Sequence, residues 1–287
     1  MQKTATGPVE FYQFDLLSNY PEVTHAVFTR RGGVSPVPFD SLNVSYQTGD
    51  DAALIRKNRK TITAIIGATH LVSAHQVHKN GVKIIGHFPE SDDEPQGFDA
   101  LLTHLTDVAL MIKQADCQAI ILYDPRRQAI GNVHCGWRGN VLDIIGHTVQ
   151  TMAEAFGSRP QDILACISPS LGPCCAEFKN FQQEFPPSLW RYEVMPDYFD
   201  LWAISRDQLL SAGILPEHIE MAGICTKCHQ DEFFSYRGEK ITGRSGTVVA
   251  LSNGSYSPSP LSPPVRPRPA YGGKGGEGIS SPVEGEE

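Results

Sequence analysis

Hydrophobic positions along the chain alternate between two periods. Strand-like runs fall at Val23–Thr29, His70–Val77, Val82–His87, Val108–Lys113, Ala119–Tyr123, Ala129–His134, Ile163–Ile167, Ile219–Ala222 and Thr247–Leu251. Helical periodicity covers Ala52–Ile66, with Asp50-Asp51 as its N-cap signal, and Val141–Phe156 after Gly139-Asn140. Shorter helical stretches lie near Ala176–Phe185 and Arg206–Ala212. Asp124-Pro125-Arg126-Arg127 reads as a tight turn, which makes the two runs beside it a hairpin. Strands joined by turns and mixed with helices predict an α/β (α+β) fold with mixed sheets.

Residues 8–252 read as one continuous globular domain without linker or internal repeat. Residues 253–287 hold seven Pro, seven Gly and six Ser without aliphatic periodicity, and are expected to form a disordered tail. The chain of 287 residues carries a formal net charge of −8 and no Lys/Arg-rich run, so neither nucleic acid nor an anionic membrane surface is an expected partner. No apolar run approaches the roughly twenty residues that cross a bilayer, and the first eight residues do not resemble a signal peptide. Seven cysteines with no export signal favour thiol or metal chemistry over disulfides, and a cytoplasmic location is expected.

Three segments concentrate metal-grade donors at strand ends: Gln76-Val77-His78, Ala115-Asp116-Cys117 and Val133 to Gly139. A thiolate with two imidazoles suits Zn²⁺, and three protein ligands leave a coordination position open. Cys117 and His134 sit six or seven residues outside the hairpin turn on opposite arms, which places them opposite each other, with Cβ atoms about 4.5–5.5 Å apart. His78 comes from another strand end. The same pair also suits a cysteine nucleophile with a histidine base, and spacing alone leaves both chemistries open. Cys225-Thr226-Lys227-Cys228 is half of a structural zinc site at most, and Cys174-Cys175 has the wrong spacing to complete it. The arginines of the loop from Thr29 to Ser35, Arg30 and Arg31, are a candidate anion grip, with a plain surface turn as the alternative. No dinucleotide or P-loop glycine motif is present.

Phe28-Thr29-Arg30-Arg31-Gly32-Gly33-Val34-Ser35, Ser41-Leu42-Asn43, Gln76-Val77-His78, Asp99 to Thr103, Ala115-Asp116-Cys117 and His134-Cys135-Gly136-Trp137-Arg138-Gly139 carry a resemblance. So do Ser168 to Cys175, Cys225 to Cys228, Phe233 to Arg237 and Thr242-Gly243-Arg244. Together they make the chain, from about Val23 to Leu251, similar to the family called multicopper polyphenol oxidase, laccase-domain protein, or laccase-domain purine nucleoside phosphorylase. The resemblance implies sheets sandwiched by helices and zinc held by His78, Cys117 and His134. It also implies phosphorolysis of adenosine, inosine, guanosine and methylthioadenosine, and deamination of adenosine. Purine nucleosides and phosphate are the implied partners. Copper fits the same donors, but multicopper oxidation needs more histidines than ten scattered singly supply. Asp116 or Asp99 is the candidate proton shuttle, Arg30 and Arg138 the candidate phosphate grip, and Asn43 a candidate contact for sugar or base. Lys79, Gln118-Ala119 and Cys135 depart from the family pattern without removing a ligand. On a strand, Cys135 faces away from His134.

Overall fold

The computed structural model describes residues 1–88 and 94–252. The expected tail therefore lies outside the described residues. Fourteen strands follow one another along these residues: β1 (Gln2–Thr6), β2 (Val9–Gln13), β3 (Val23–Phe28), β4 (His70–Ser73), β5 (Val82–Ile84), β6 (Ala100–Thr103), β7 (Val108–Gln114), β8 (Gln118–Asp124), β9 (Ala129–Cys135), β10 (Leu164–Ile167), β11 (Glu193–Met195), β12 (Tyr198–Phe199), β13 (Ile219–Met221) and β14 (Ser245–Leu251). The α-helices are α1 (Ala52–Ile66), α2 (Trp137–Val141), α3 (Ile144–Phe156), α4 (Phe181–Glu184), α5 (Leu201–Ser211) and α6 (Tyr236–Glu239).

The strands form two mixed six-stranded sheets, ordered β1-β2-β3-β14-β7-β4 and β13-β10-β8-β9-β6-β5, with β11 and β12 as a separate ribbon. Pairs β4/β7, β5/β6 and β10/β13 are parallel and the other pairs antiparallel. The central strands are buried on both faces, which is why they read as continuous apolar runs. Alternate residues go to different layers. Leu110 and Val249 of the first sheet meet Ile121, Tyr123 and Ile130 of the second in a shared core. The opposite face of the first sheet packs Ala109, Met111 and Val248 against Ile62 and Ile66 of α1. The opposite face of the second packs Ile120, Leu122 and Val133 against Ile145, Val149 and Met152 of α3. The result is helix, sheet, sheet, helix, as expected. Asn132 pins the sheets together: its amide donates to the carbonyls of Leu110 and Thr247 across the shared core.

Among the expectations that change, β4 and β5 stop at Ser73 and Ile84, short of their expected ends, and α5 starts at Leu201 instead of near Arg206. β1, which precedes residue 8, pairs with β2, so the fold begins earlier than the expected boundary. The single helix expected over Val141–Phe156 is two, because Asp143 adopts a left-handed conformation (φ 48°) and caps α3 through the Gly146 N–H. The helix expected over Ala176–Phe185 shrinks to α4, because Glu177 bridges Tyr198 and the Phe178 N–H bonds to Asp197 O.

Candidate active site

Chain crossings between the sheets assemble the site. β7 lies in one sheet and β8 in the other, and Ala115-Asp116-Cys117 is the step between them. Asp116 takes that step in a left-handed conformation (φ 85°), which few non-glycine residues adopt without compensation. The compensation is its carboxylate, which accepts the Thr226 hydroxyl at 2.7 Å, the Ser235 hydroxyl at 2.8 Å and the Arg237 N–H. Cys117 is thereby held against the end of β9, where His134 sits.

The hairpin register corrects the expected pairing. Ala119, not Cys117, faces His134, and Gln118 faces Cys135. Continuing that register sets Cys117 beside Gly136, diagonal to His134. Gly136 leaves the sulfur its space: a Cβ there would lie 2.8 Å from Cys117 Sγ and 3.4 Å from His78 Cδ2. The third segment ends at His78, in a left-handed conformation (φ 58°). Buried Asp99 fixes that turn, accepting the N–H groups of His78 and Lys79 at 2.9 and 2.8 Å and that of Val77 at 3.2 Å. The same carboxylate takes His134 Nδ1 at 2.8 Å. A carboxylate on Nδ1 places the proton there and turns Nε2 toward the site.

His78, Cys117 and His134 thus present donor atoms within 4.8 Å of one another, a set that fits one cation with an open position. Cys117 Sγ lies 3.9 Å from His78 Nε2, and the two imidazole rings meet edge-on at 4.8 Å. Burial pushes the Cys117 thiol up, but the His134 and His78 rings outweigh it and bring it down to about 6. Burial likewise pulls His134 down, while Cys117 and Asp99 outweigh it and bring it up to about 9. The thiolate that a metal requires is therefore favoured before any metal arrives. Cys135 faces away as expected: it is buried among the residues packed on α3, and burial raises its thiol well above the ordinary range.

A cavity of about 640 Å³ opens onto these residues. Its wall includes three arginines, Arg138, Arg237 and Arg244, and the apolar or aromatic side chains Trp137, Leu171, Phe178 and Tyr236. None of the three guanidiniums forms an ion pair among the described residues; they rest on rings of Trp137, Phe178 and Tyr236. Lys113 also reaches the wall, but its ammonium is spent on Glu94 at 2.6 Å.

Three expected roles move elsewhere. Arg30 does not line the cavity: its guanidinium donates to Asp40 O, Gln230 O and Glu239 Oε1 and stacks on Phe234. Asn43 is fully buried, and its Oδ1 accepts the N–H groups of Ser45 and Arg244. It positions the segment that carries Arg244 instead of meeting a substrate. Asp99 is fully buried behind His134, so it orients ligands and is out of a substrate's reach. Arg237 and Arg244 received no role from the sequence, although both lie in segments that carry the resemblance; only the folded chain brings them to Cys117.

Among relatives, a protein from Bacteroides thetaiotaomicron named purine nucleoside phosphorylase is 33% identical over 254 residues, covering 83% of this chain and 93% of its own. Purine nucleoside phosphorylase YlmD of Geobacillus stearothermophilus is 31% identical, covering 78% of this chain and 87% of its own. The crystal structure of YlmD from Geobacillus stearothermophilus superposes with a TM-score of 0.78 at 28% identity, over 88% of this chain and 98% of that one. The family described as multi-copper polyphenol oxidoreductase laccase matches residues 24–252, and with that span and those relatives the chain belongs to it.

Proposed function

We propose that this cavity is the active site of a zinc-dependent purine nucleoside phosphorylase that also deaminates adenosine. The observation that carries the reading is the joint lining of one cavity by His78, Cys117, His134 and three arginines without carboxylate partners. Arg237 and Arg244 each commit one Nη1 to backbone carbonyls, but with no carboxylate to neutralise them the guanidiniums keep positive charge and donors for a phosphate. The aromatic and apolar wall of Trp137, Leu171, Phe178 and Tyr236 suits a purine face. Relatives named purine nucleoside phosphorylase supply the substrate class. Zinc, when bound by the three ligands, supplies Lewis acidity and an open position for an oxygen donor.

The protein's own part in phosphorolysis is positional. Arg138, Arg237 and Arg244 hold inorganic phosphate toward C1′ of the ribose. A phosphate oxygen forms the new bond to C1′, and the C1′–N9 bond breaks with its electron pair leaving on the purine. The proton that the phosphate gives up on forming the ester passes to the purine and completes the free base, and the sugar leaves as its 1-phosphate. Asp99 contributes through His134 and the His78 turn, and Asp116 through the placement of Cys117 and Arg237.

The depressed Cys117 thiol beside a charged His134 also supports a second reading, a cysteine hydrolase dyad. Copper-dependent phenol oxidation has weaker support, because His78, Cys117 and His134 form the one histidine-containing cluster of metal donors among the described residues. Product analysis on adenosine separates the readings. Phosphate-dependent release of free base, adenine plus any hypoxanthine formed from inosine, with an equal total amount of ribose 1-phosphate is expected, together with phosphate-independent formation of inosine. Adenine released equally without phosphate would overturn the phosphorylase reading.

A further inference from the structure

A second cluster of sulfur atoms lies outside the catalytic triad. Cys174 and Cys175 follow the strand-end segment Ser168 to Gly172, and Cys225 and Cys228 bracket a tight turn more than fifty residues later. Spacing along the chain gave no reason to join them. The fold joins them by a backbone ladder: the Ser170 N–H donates to Ile224 O, and the Thr226 N–H donates to Ser170 O. All four Sγ atoms then lie within 4.8 Å of one another. Cys174 and Cys175 Sγ each lie 3.6 Å from Cys228 Sγ.

We propose that Cys174, Cys175, Cys225 and Cys228 form a second, closed metal site that binds one zinc ion as a tetrathiolate. Four sulfurs at about 2.3 Å from a tetrahedral zinc are separated from each other by about 3.8 Å, close to the spacing already present. A disulfide needs about 2.05 Å, and all four cysteines are free. The Gly172 N–H donates to Cys225 Sγ at 3.3 Å, the kind of outer contact that orients a sulfur ligand. Gly172 also has no room for a side chain, since a Cβ would lie 2.9 Å from the Trp202 ring and 3.0 Å from Cys225 Cβ. Four protein ligands leave no open position, so this site is structural where the triad site is catalytic.

Its position gives it a purpose. Thr226 lies inside the Cys225–Cys228 turn and donates its hydroxyl to Asp116, the neighbour of Cys117. Leu171, between the ladder and Cys174, lines the cavity and donates its N–H to Asp116 O. The tetrathiolate therefore clamps two loops that hold the catalytic step between β7 and β8.

Metal analysis of the full chain, purified under reducing conditions with zinc present, tests the proposal. Two zinc ions per chain are expected, one in Cys117→Ala, one in Cys228→Ser and none in the double variant. Zinc-edge X-ray absorption of Cys117→Ala is expected to show four sulfurs at about 2.3 Å and no nitrogen. That measurement needs no change at the cluster, so a folding failure of Cys228→Ser does not decide the outcome. One zinc in the wild type and none in Cys117→Ala would overturn the second site while leaving the first intact. A Cys174–Cys228 or Cys175–Cys228 disulfide in the reduced preparation would overturn it as well. Two zinc ions retained by Cys117→Ala would instead count against the triad reading alone.

Discussion

Replacing Asp99 with Asn removes one charge and keeps the shape of a fully buried side chain. In the wild type, Oδ1 accepts His78 N–H and His134 Nδ1, while Oδ2 accepts Val77 and Lys79 N–H. An amide can place its NH₂ at only one of these positions, and either choice sets it against donors. If it replaces Oδ2, two backbone N–H groups lose their acceptor. If it replaces Oδ1, the His78 N–H is orphaned and His134 is driven to its other tautomer, with Nε2 protonated and unable to bind metal. Unsatisfied buried donors cost about 1–3 kcal/mol each, so a stability loss of about 2–4 kcal/mol is expected, because the 77–79 turn is partly open to water. Loss of an outer-shell carboxylate typically weakens metal binding about 10- to 100-fold, equivalent to about 1.4–2.7 kcal/mol. Chelator competition reads the affinity, and thermal unfolding of the metal-free protein reads the stability. Metal affinity within about twofold of wild type, with an unchanged melting temperature, would refute the role given to Asp99.

Gly136→Ala is expected to displace Cys117 or His78 and to lower metal occupancy at the triad, because the new methyl would lie 2.8 Å from the sulfur; metal content checks it. Arg244→Ala and Arg138→Ala are expected to raise KM for phosphate by about tenfold or more, the scale of a lost charge-assisted contact, with a much smaller change in KM for the nucleoside. Steady-state kinetics with each substrate varied separately reads that split. Stability is expected to fall in mild acid through His25. Its ring is buried, which pulls it down to about 4, and Nε2 accepts the Phe14 N–H, a bond that protonation forfeits. The folded value lies below the ordinary 6.5, so the unfolded chain binds the proton first and stability drops as pH falls from about 6.5 toward 4, by up to about 3 kcal/mol. In His25→Gln that part of the pH profile flattens.

Much of the fold was legible because its central strands are seven-residue, almost wholly buried runs that end at turn residues. The hairpin of β8 and β9 is the best case, and α1 spans the expected Ala52–Ile66 behind its Asp51 cap, closed by a left-handed Gly67. Short elements were not legible. β6 has four residues and no period to read, and β11 and β12 are defined by each other and by contacts far along the chain. Asp143 was the missed signal between α2 and α3, since an apolar stripe runs through the break while the cap interrupts only the backbone. At the site, the triad was legible because its donors are chemically distinctive. Its register was not, because counting from a turn fixes pairing only to within a residue or two, and the pair proved diagonal. Arg237, Arg244 and the four-cysteine cluster depend on contacts between loops that only tertiary packing creates. Arg30 and Asn43 carry the right chemistry, but carboxylates, carbonyls and backbone N–H groups of the fold already occupy it. Spanning segments were not expected, and no helix among the described residues is long and apolar enough to cross a membrane.

In the proposed function, Cys117 holds a catalytic cation together with His78 and His134. Zinc content and phosphorolysis measured on the same preparations of wild type and Cys117→Ala decide whether it does. A parallel fall is predicted: loss of one zinc equivalent and of phosphate-dependent adenine release together. Full zinc content with activity abolished would mark Cys117 as a nucleophile instead, and phosphorolysis that survives the loss of that zinc would place the chemistry outside the triad.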